Sequence, residues 1–409
     1  MKNHVRKSNW PRLFWWLHAL GVAGFYAVLW LRTKPDRTRV SPVCPASEKH
    51  TLPRVSIIVP ARNEERNIRR CVHSLLEQDY PDYEVIVVDD NSTDHTPEIL
   101  DEIAHTHPQG ARLWVLRLNH LPEGWAGKPH ALHAGVQEAN GEFLLFTDAD
   151  TWHAPGALQA AMSRAEEQGL DLLSLVSAQE LPGFWERVMM PMALLGISMQ
   201  YPVRQVNDPR SPVALANGQY ILLRRAVYDW LGGYARSELR GTLVDDRDLA
   251  FLVKREGFHL ELADGRELVR VRMYRGLREA WRGWRKNVFL GSRGGLFFVL
   301  LSLPGLPMVT VLPFLLPLRL WLARLAGKRK TVGIAEAVFL SVLELGPLLT
   351  YRRWIDKEMQ LPWYYMFTHP LAGSLFVGIL AQSTWRIRAG KGVDWSGRRY
   401  YLRNSPAKP

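Results

Sequence analysis

The stretch FLLFTDADT, Phe143 to Thr151, sets four apolar residues just ahead of two carboxylates, Asp148 and Asp150. A short apolar run of this kind fits a buried strand, and it stops where the charge begins. In an extended segment residues i and i+2 share a face, so the two carboxylates converge if strand geometry persists through them. Converging carboxylates repel, and a divalent cation, Mg2+ or Mn2+, neutralises them; such ions use one or two carboxylates plus substrate phosphate oxygens. The competing reading is capping, with Asp150 or Thr151 serving the helix that Pro155 helps to start.

Three more apolar runs precede this one: VSIIVP (55–60), YEVIVVDD (83–90) and RLWVLRL (112–118), with EFLLFTD (142–148) as the fourth strand. Helical spacing lies between them, as at Ile68, Cys71, Val72 and Leu75 within 63–79. Strands alternating with helices imply crossover units and a mostly parallel α/β sheet. Open sheets of this kind bind ligands beyond the C-terminal ends of their strands. Three ends carry polar groups there: Ala61-Arg62-Asn63-Glu64, Asp89-Asp90-Asn91-Ser92 and Asp148-Ala149-Asp150. LPEGWAGKPHALHAG (121–135) adds Lys128 at a helix start, where a lysine and free backbone N–H groups suit an anion; the plainer alternative is a solvated loop lysine. In GTLVDDRDLAFLVKREG (241–257), Asp245 and Asp246 precede an amphipathic helix. One acid can cap that helix, leaving the other to take a proton from an attacking hydroxyl.

The flanks read differently. RLFWWLHALGVAGFYAVLWLR (12–32) has no charge between its terminal arginines and places tryptophans near its ends, as an uncleaved membrane anchor would. Residues 33–53 read as a linker, 54–291 as the α/β domain, 292–385 as transmembrane helices and 386–409 as a basic cytoplasmic tail. Within 296–325 four prolines allow one kinked span or a hairpin; the hairpin is preferred because it keeps Lys328, Arg329, Lys330 and the tail on the side of the α/β domain. Spans are expected over 332–349 and 361–385, with Glu336, Glu344 and His369 as intramembrane ionisable groups. The apolar, Met-rich 184–201 reads as an interfacial helix that brings the site to the bilayer, with a buried core helix as the equal alternative.

Charge placement narrows the function classes. The formal charge is +12 over 409 residues. Lys2, Arg6, Lys7 and Arg12 stand without an acid in 1–12, and seven bases face one acid in 385–409. Most of the excess therefore sits in two tails beside apolar segments, a membrane-surface pattern. No basic stripe with interleaved aromatics appears mid-chain, which argues against nucleic acid. Cys44 and Cys71 make neither a metal spacing nor a disulfide framework.

In order, VSIIVPARNEERNI, VIVVDDNSTDHT, WAGKPHALHAG, FLLFTDADT, LANGQYILLRRAVYDWLGGY and VDDRDLA resemble the family 2 glycosyltransferases, inverting enzymes of the GT-A fold. The resemblance covers about 53–291. It implies a Rossmann-like mixed sheet and a nucleotide-diphosphate sugar, UDP-hexose above all, as donor. By the same resemblance Glu64, Asp89 and Asp90 hold the uridine end, Pro60 and Arg62 belong to the donor site, and Lys128 approaches the diphosphate or the base. Asp148 and Asp150 hold ribose and metal, and Asp246, with Asp245 beside it, is the catalytic base. WAGKPHALHAG, LREAWRGWRKN (277–287) and GVDWSGRRY (392–400) are similar to the membrane-anchored branch that glycosylates lipids, carotenoid-type and hopanoid-associated. An apolar acceptor at a cytoplasmic membrane follows, with the catalytic domain cytoplasmic. Gly218, Gln219, Arg282, Trp284, Arg285 and Lys286 are the residues expected around acceptor and leaving diphosphate. Processive synthases of the family carry Q-x-x-R-W, whereas WRGWRKN (281–287) lacks the Gln. The rival readings are a processive polysaccharide synthase, a scaffold with a degenerate site and a nucleotidyltransferase.

Overall fold

Four apolar runs become β1 (Val55–Ala61), β2 (Tyr83–Asp89), β3 (Leu113–Arg117) and β4 (Phe143–Phe146). The structure is a computed structural model, and it describes residues 10–33, 52–290, 295–325, 333–389, 391–395 and 398–400. These four strands pair in parallel, with Ile58 beside both Ile86 and Phe146. The helices between them supply the crossovers: α2 (Ile68–Leu76), α3 (Thr96–Thr106) and α4 (Gly127–Glu138). After β4 come the short β5 (Thr151–His153), α5 (Ala157–Glu167), β6 (Leu172–Val176) and β7 (Ala178–Gln179). Two helices, α6 (Phe184–Gln200) and α7 (Val203–Asn207), lead to β8 (Ile221–Arg224) and α8 (Arg225–Trp230). Then follow α9 (Asp245–Arg255), β9 (Leu260–Asp264) and β10 (Val269–Val271). The main sheet runs β3-β2-β1-β4-β8-β6-β9, with β8 antiparallel to both neighbours, so the sheet is mixed. Strands β5, β10 and β7 form a small second sheet.

Both faces of the main sheet are covered, which explains the unbroken apolar runs. Successive side chains alternate between faces. Ile57, Val59, Val85, Val87, Phe143 and Leu145 pack against α2 and α5. Ile58, Ile86, Val88, Leu144 and Phe146 pack against α4 and α9. The parallel strand ends then point their polar residues to a single edge.

A third core joins this domain to the apolar helices: α1 (Trp10–Thr33), α10 (Leu277–Leu290), α11 (Gly295–Thr310), α12 (Leu312–Leu325), α13 (Ile334–Glu358) and α14 (His369–Arg388). Val22, Tyr26, Met189, Trp284, Leu348, Tyr351 and Ile379 meet there. Helix α6 lies inside this core, with Val188, Met189, Met192 and Ala193 buried. Of its two readings, the core helix is the one observed. The hairpin expected over 296–325 is not. Only Val311 separates α11 from α12, and the two meet at 42°. Pro313 lacks an N–H and bends the helix without reversing it. Lys328, Arg329 and Lys330 lie outside the described residues, and without the hairpin nothing assigns them to the side of the α/β domain.

Among the described residues two helices, Arg12–Thr33 and Ile334–Glu358, are long and apolar enough to cross a membrane, or three if the bent pair is one span. The run expected to span over 361–385 is interrupted by a 3-10 turn at Trp363–Thr368 before α14 begins. The ionisable groups singled out in these helices all have partners. Glu336 takes Arg12 and Trp16, Glu344 takes His18 at 2.7 Å, and His369 meets Tyr26 at 2.9 Å. They fasten α1 to α13 and α14.

Candidate active site

The ends of β1 and β2 are locked to each other. Asn63 and Asn91 both adopt left-handed backbone, at φ 58° and 55°, a conformation Asn tolerates better than most residues. The turn this allows is clamped: Asn63 N–H donates to Ser92 Oγ at 2.9 Å, Thr93 N–H to Asn63 Oδ1 at 2.8 Å and Glu64 N–H to Thr96 Oγ1 at 2.8 Å. Arg62 binds the carbonyls of Asp90 and Asn91 from the side. Ser92, which the sequence already set at the β2 end, and Thr93 and Thr96, which sequence reasoning did not single out, are thus what holds the two polar ends together. The signal available was NSTDHT itself, a cluster of side chains that bond local backbone.

Pro60, Arg62, Glu64, Asp90, Lys128, Asp148, Asp150, Gly218, Gln219, Asp245, Asp246, Trp284 and Lys286 all line one cleft of about 2360 Å³. Asp89, Arg282 and Arg285 are not among its lining residues. The Asp89 carboxylate turns back to accept Ser92 N–H at 3.0 Å, an Asx turn that shapes the loop. Arg282 is exposed on the outer side of α10.

The two carboxylates of the DAD motif reach the cleft by a turn and not by continued strand. β4 stops at Phe146, and Thr151 closes the turn on the Asp148 carbonyl through its hydroxyl at 2.7 Å. Helix α5 starts only at Ala157, with Gly156 at its N-cap. Neither acid caps it, and the capping reading is set aside. Asp150 Oδ1 is shut off from solvent and accepts no hydrogen bond. Burial, then the charges of Asp148 and Glu64, push the Asp150 carboxyl well above the usual range. Glu64 is also raised, chiefly by burial. An orphaned buried carboxylate oxygen among acids that repel it suits a divalent cation.

Lys128 joins this acidic group to the second one. Its Nζ lies 2.7 Å from Asp148 and 3.2 Å from Asp245. Burial opposes its charge, but Asp148, Asp245 and Asp246 outweigh burial and raise its pKa. Asp246 accepts the Gly218 N–H at 3.2 Å and the Arg247 N–H at 2.7 Å. Burial, followed by the Asp245 charge, raises Asp246 to about 6, against the opposing pull of Lys128. Gly218 lies tight against three of these groups. A Cβ there would stand 3.1 Å from Lys128 Nζ, 3.3 Å from Asp246 and 3.5 Å from Asp148. Asn217 holds that backbone in place by donating to the Leu175 carbonyl at 2.8 Å and to Gln219 Oε1 at 3.1 Å. Sequence reasoning passed over Asn217. The cap of α9 also differs from expectation: Val244 occupies the N-cap, Thr242 Oγ1 accepts its N–H and in turn donates to Asp248. Asp245 and Asp246 are both left to the cleft.

Helix α10 closes the other wall. Its Lys286 is lowered to about 8, mostly by burial, with Asp245 opposing and Lys128 adding to the shift. Trp284 packs on Tyr274 and Phe376, and its indole N–H is buried without a partner. Arg272 Nε, in the same lining, is also unpartnered. From the C-terminus, β11 (Val393–Trp395) and β12 (Arg398–Tyr400) form a hairpin whose Arg398 and Tyr400 enter the cleft. Phe25, Met190, Ile197, Leu301, Val309 and Phe376 give the cleft an apolar lining from α1, α6, α11 and α14.

Among the described residues one further cluster could hold an ion, His73, Glu77 and His107, on the surface away from this cleft. His107 Nδ1 accepts the Gln109 N–H, which leaves its proton on the Nε2 that faces Glu77. That tautomer opposes metal binding.

Residues 56–231 match the model of glycosyl transferase family 2. The 4,4'-diaponeurosporenoate glycosyltransferase of Staphylococcus aureus (strain MRSA252) is 26% identical over 356 residues, 85% of this chain and 88% of its own length. Among solved structures, the mannosyltransferase PcManGT from Pyrobaculum calidifontis, in complex with GDP-Man and Mn2+, is 20% identical with a TM-score of 0.51, covering 88% of this chain and 97% of that one. That likeness speaks for the fold. The mixed sheet, the polar strand ends and the family match agree: residues 56–231 match the family 2 glycosyltransferases on a mixed sheet of the GT-A type, and this domain is joined to apolar helices.

Proposed function

We propose that the protein transfers one sugar from a nucleotide-diphosphate sugar, UDP-hexose in the first instance, to an apolar acceptor in the membrane, with inversion. The observation that carries this reading is the cleft, in which the acid–lysine cluster and an apolar wall from α1, α6, α11 and α14 line one space. A nucleotide sugar needs the first and a carotenoid-like or other lipid acceptor needs the second. The relative of Staphylococcus aureus, named for a carotenoid carboxylate, supports this acceptor class. The neighbour bound to GDP-Man and Mn2+ supports a sugar nucleotide and a divalent cation.

Each residue has a part in this reading. Asp90, Glu64, Pro60 and Arg62 frame the nucleoside pocket. Asp150 and Asp148 would hold Mg2+ or Mn2+, which when bound supplies positive charge to the diphosphate. Lys128 and Lys286 stand where negative charge grows on the departing group, and fixed cations in a water-poor site stabilise such charge effectively. Asp246 accepts the proton of an attacking hydroxyl, and a base near pKa 6 is ionised yet still basic at neutral pH. A carboxylate acceptor carries no proton to remove, and for it Asp246 matters less. In this reading the domain sits at the cytoplasmic face of the cell membrane as a multi-pass protein, which the long apolar helices support.

The test is a label-transfer assay. Membranes carrying the protein or its Asp246→Asn variant are incubated with Mn2+ and a panel of radiolabelled nucleotide sugars. The products are then partitioned between organic solvent, water and insoluble polymer. Label in the organic phase with the wild type only supports the reading, and mass spectrometry of that phase identifies the acceptor. Label in long chains would establish a processive synthase instead, and release of pyrophosphate a nucleotidyltransferase.

A further inference from the structure

We propose that the C-terminal hairpin is a built-in competitor for the donor pocket, with Arg398 on Asp90 and Tyr400 on Gly127, and that nucleotide binding displaces it. The inference rests on the reading that this pocket takes a nucleotide sugar.

Four observations carry it. Arg398 covers both carboxylate oxygens of Asp90, one of them at 3.0 Å, and Asp90 is only 4% exposed. The Tyr400 hydroxyl accepts the Gly127 N–H at 3.2 Å. Gly127 is the first residue of α4, and Ala126 at the N-cap offers no side-chain bond, so this N–H is one of the free donors a helix start presents. Residues 398 and 400 share one face of β12, and one short strand therefore delivers both groups at once.

The chemistry of each contact copies a nucleotide. A guanidinium N–H on Asp90 has the same sense as a base N–H donating to that carboxylate. A phenol oxygen on Gly127 N–H has the same sense as a phosphate oxygen at a helix N-terminus. Glycine at 127 leaves the room. A Cβ there would stand 2.6 Å from Arg398 Nη1 and 3.2 Å from the Tyr400 oxygen. Among the described residues the hairpin adds no strand to either sheet of the α/β domain. Its two three-residue strands pair only with each other. A lone two-stranded hairpin is marginal in water, so a ligand that takes over the Asp90 and Gly127 contacts loosens its hold on the cleft.

The experiment uses the full chain in detergent, with UDP and, separately, GDP as the probes, each with Mn2+. Wild type, Arg398→Ala, Tyr400→Phe and the double variant are compared by calorimetric Kd. Cleavage by trypsin at Arg398 and Arg399 is followed with and without UDP. The expected result is a Kd lowered about five- to tenfold in the double variant, together with faster tryptic cleavage of the wild type once UDP is present. A weaker Kd in Arg398→Ala makes the hairpin a permanent wall of the donor site and overturns the proposal. So does an unchanged Kd. Binding of neither UDP nor GDP by any of the four proteins overturns the nucleotide-sugar reading itself, a failure distinct from the other two.

Discussion

Lys128 shows how few residues set the electrostatics of the cleft. It bridges Asp148 and Asp245, two acids from separate motifs. Asp246 sits at about 6 and Lys286 at about 8, each displaced first by burial. In the proposed reading, transfer to a hydroxyl needs Asp246 ionised and Lys286 charged. The pH profile of kcat/KM should then rise through about 6 and fall through about 8. Asp246→Asn should lose the acid limb and roughly 100- to 10,000-fold in rate while still binding donor; an acid limb that persists in the variant refutes the assignment. Asp150 offers a second check. Its raised carboxyl holds its proton better folded than unfolded, so the folded state loses stability as pH rises from the unfolded value through the folded one. Asp150→Asn should therefore raise the cation-free Tm at pH 8 and abolish the further rise that Mn2+ gives the wild type, both read by thermal unfolding. These acids could be found from sequence because strand ends and D-x-D spacing are local. Arg398 could not, because 308 residues separate it from Asp90.

Helix α10 depends on one close approach. A Cβ on Gly283 would stand 2.3 Å from the Tyr274 ring, which is itself buried. Gly283→Ala should cost about 1–3 kcal/mol through overpacking and shift the helix that carries Trp284 and Lys286. The check is Tm together with single-turnover rate, and kcat should fall more steeply than donor affinity. If rate and Tm are both unchanged, the ring has room to move and α10 is not positioned by it. The α11–α12 pair teaches a related lesson. Four prolines in 296–325 signalled a break, but composition does not separate a bend from a reversal; the single residue between the helices does. Helix α6 was ambiguous for a similar reason. Apolar, Met-rich and helical describe a buried helix as well as an interfacial one, and only its neighbours α1, α10 and α14 resolve it.

Three cores meet in this chain, and the third ties the catalytic domain to the apolar helices. Two of the polar ties between α1 and α13 lie in very different surroundings. Arg12–Glu336 is open to solvent, with the arginine side chain 58% exposed, whereas His18–Glu344 is enclosed at 7% and 2%. Exposed pairs contribute about 0–1 kcal/mol, while a buried group stripped of its partner costs about 1–3 kcal/mol. Glu344→Ala should therefore lower the Tm in detergent clearly, and Arg12→Ala hardly at all. Equal shifts would mean that water reaches His18. A pair joining Arg266 to Glu358 at 2.8 Å then fixes the end of α13 to the α/β domain, beside the cleft that both line.

The alternation of apolar strands and helices, the acids at the strand ends and the long uncharged helices are local features. Hydrophobic period and turn chemistry write them along the chain, so the α/β domain and most of its polar cluster are legible in the amino-acid sequence itself. The family resemblance added roles to those residues without adding geometry. What the tertiary structure alone decided involves partners far apart in sequence. It turned Asp89 away from the cleft, brought Lys128 between two acidic motifs, placed α6 in a core and set Arg398 on Asp90. Burial and charge at a point depend on everything packed around it, and no periodicity along the chain records that.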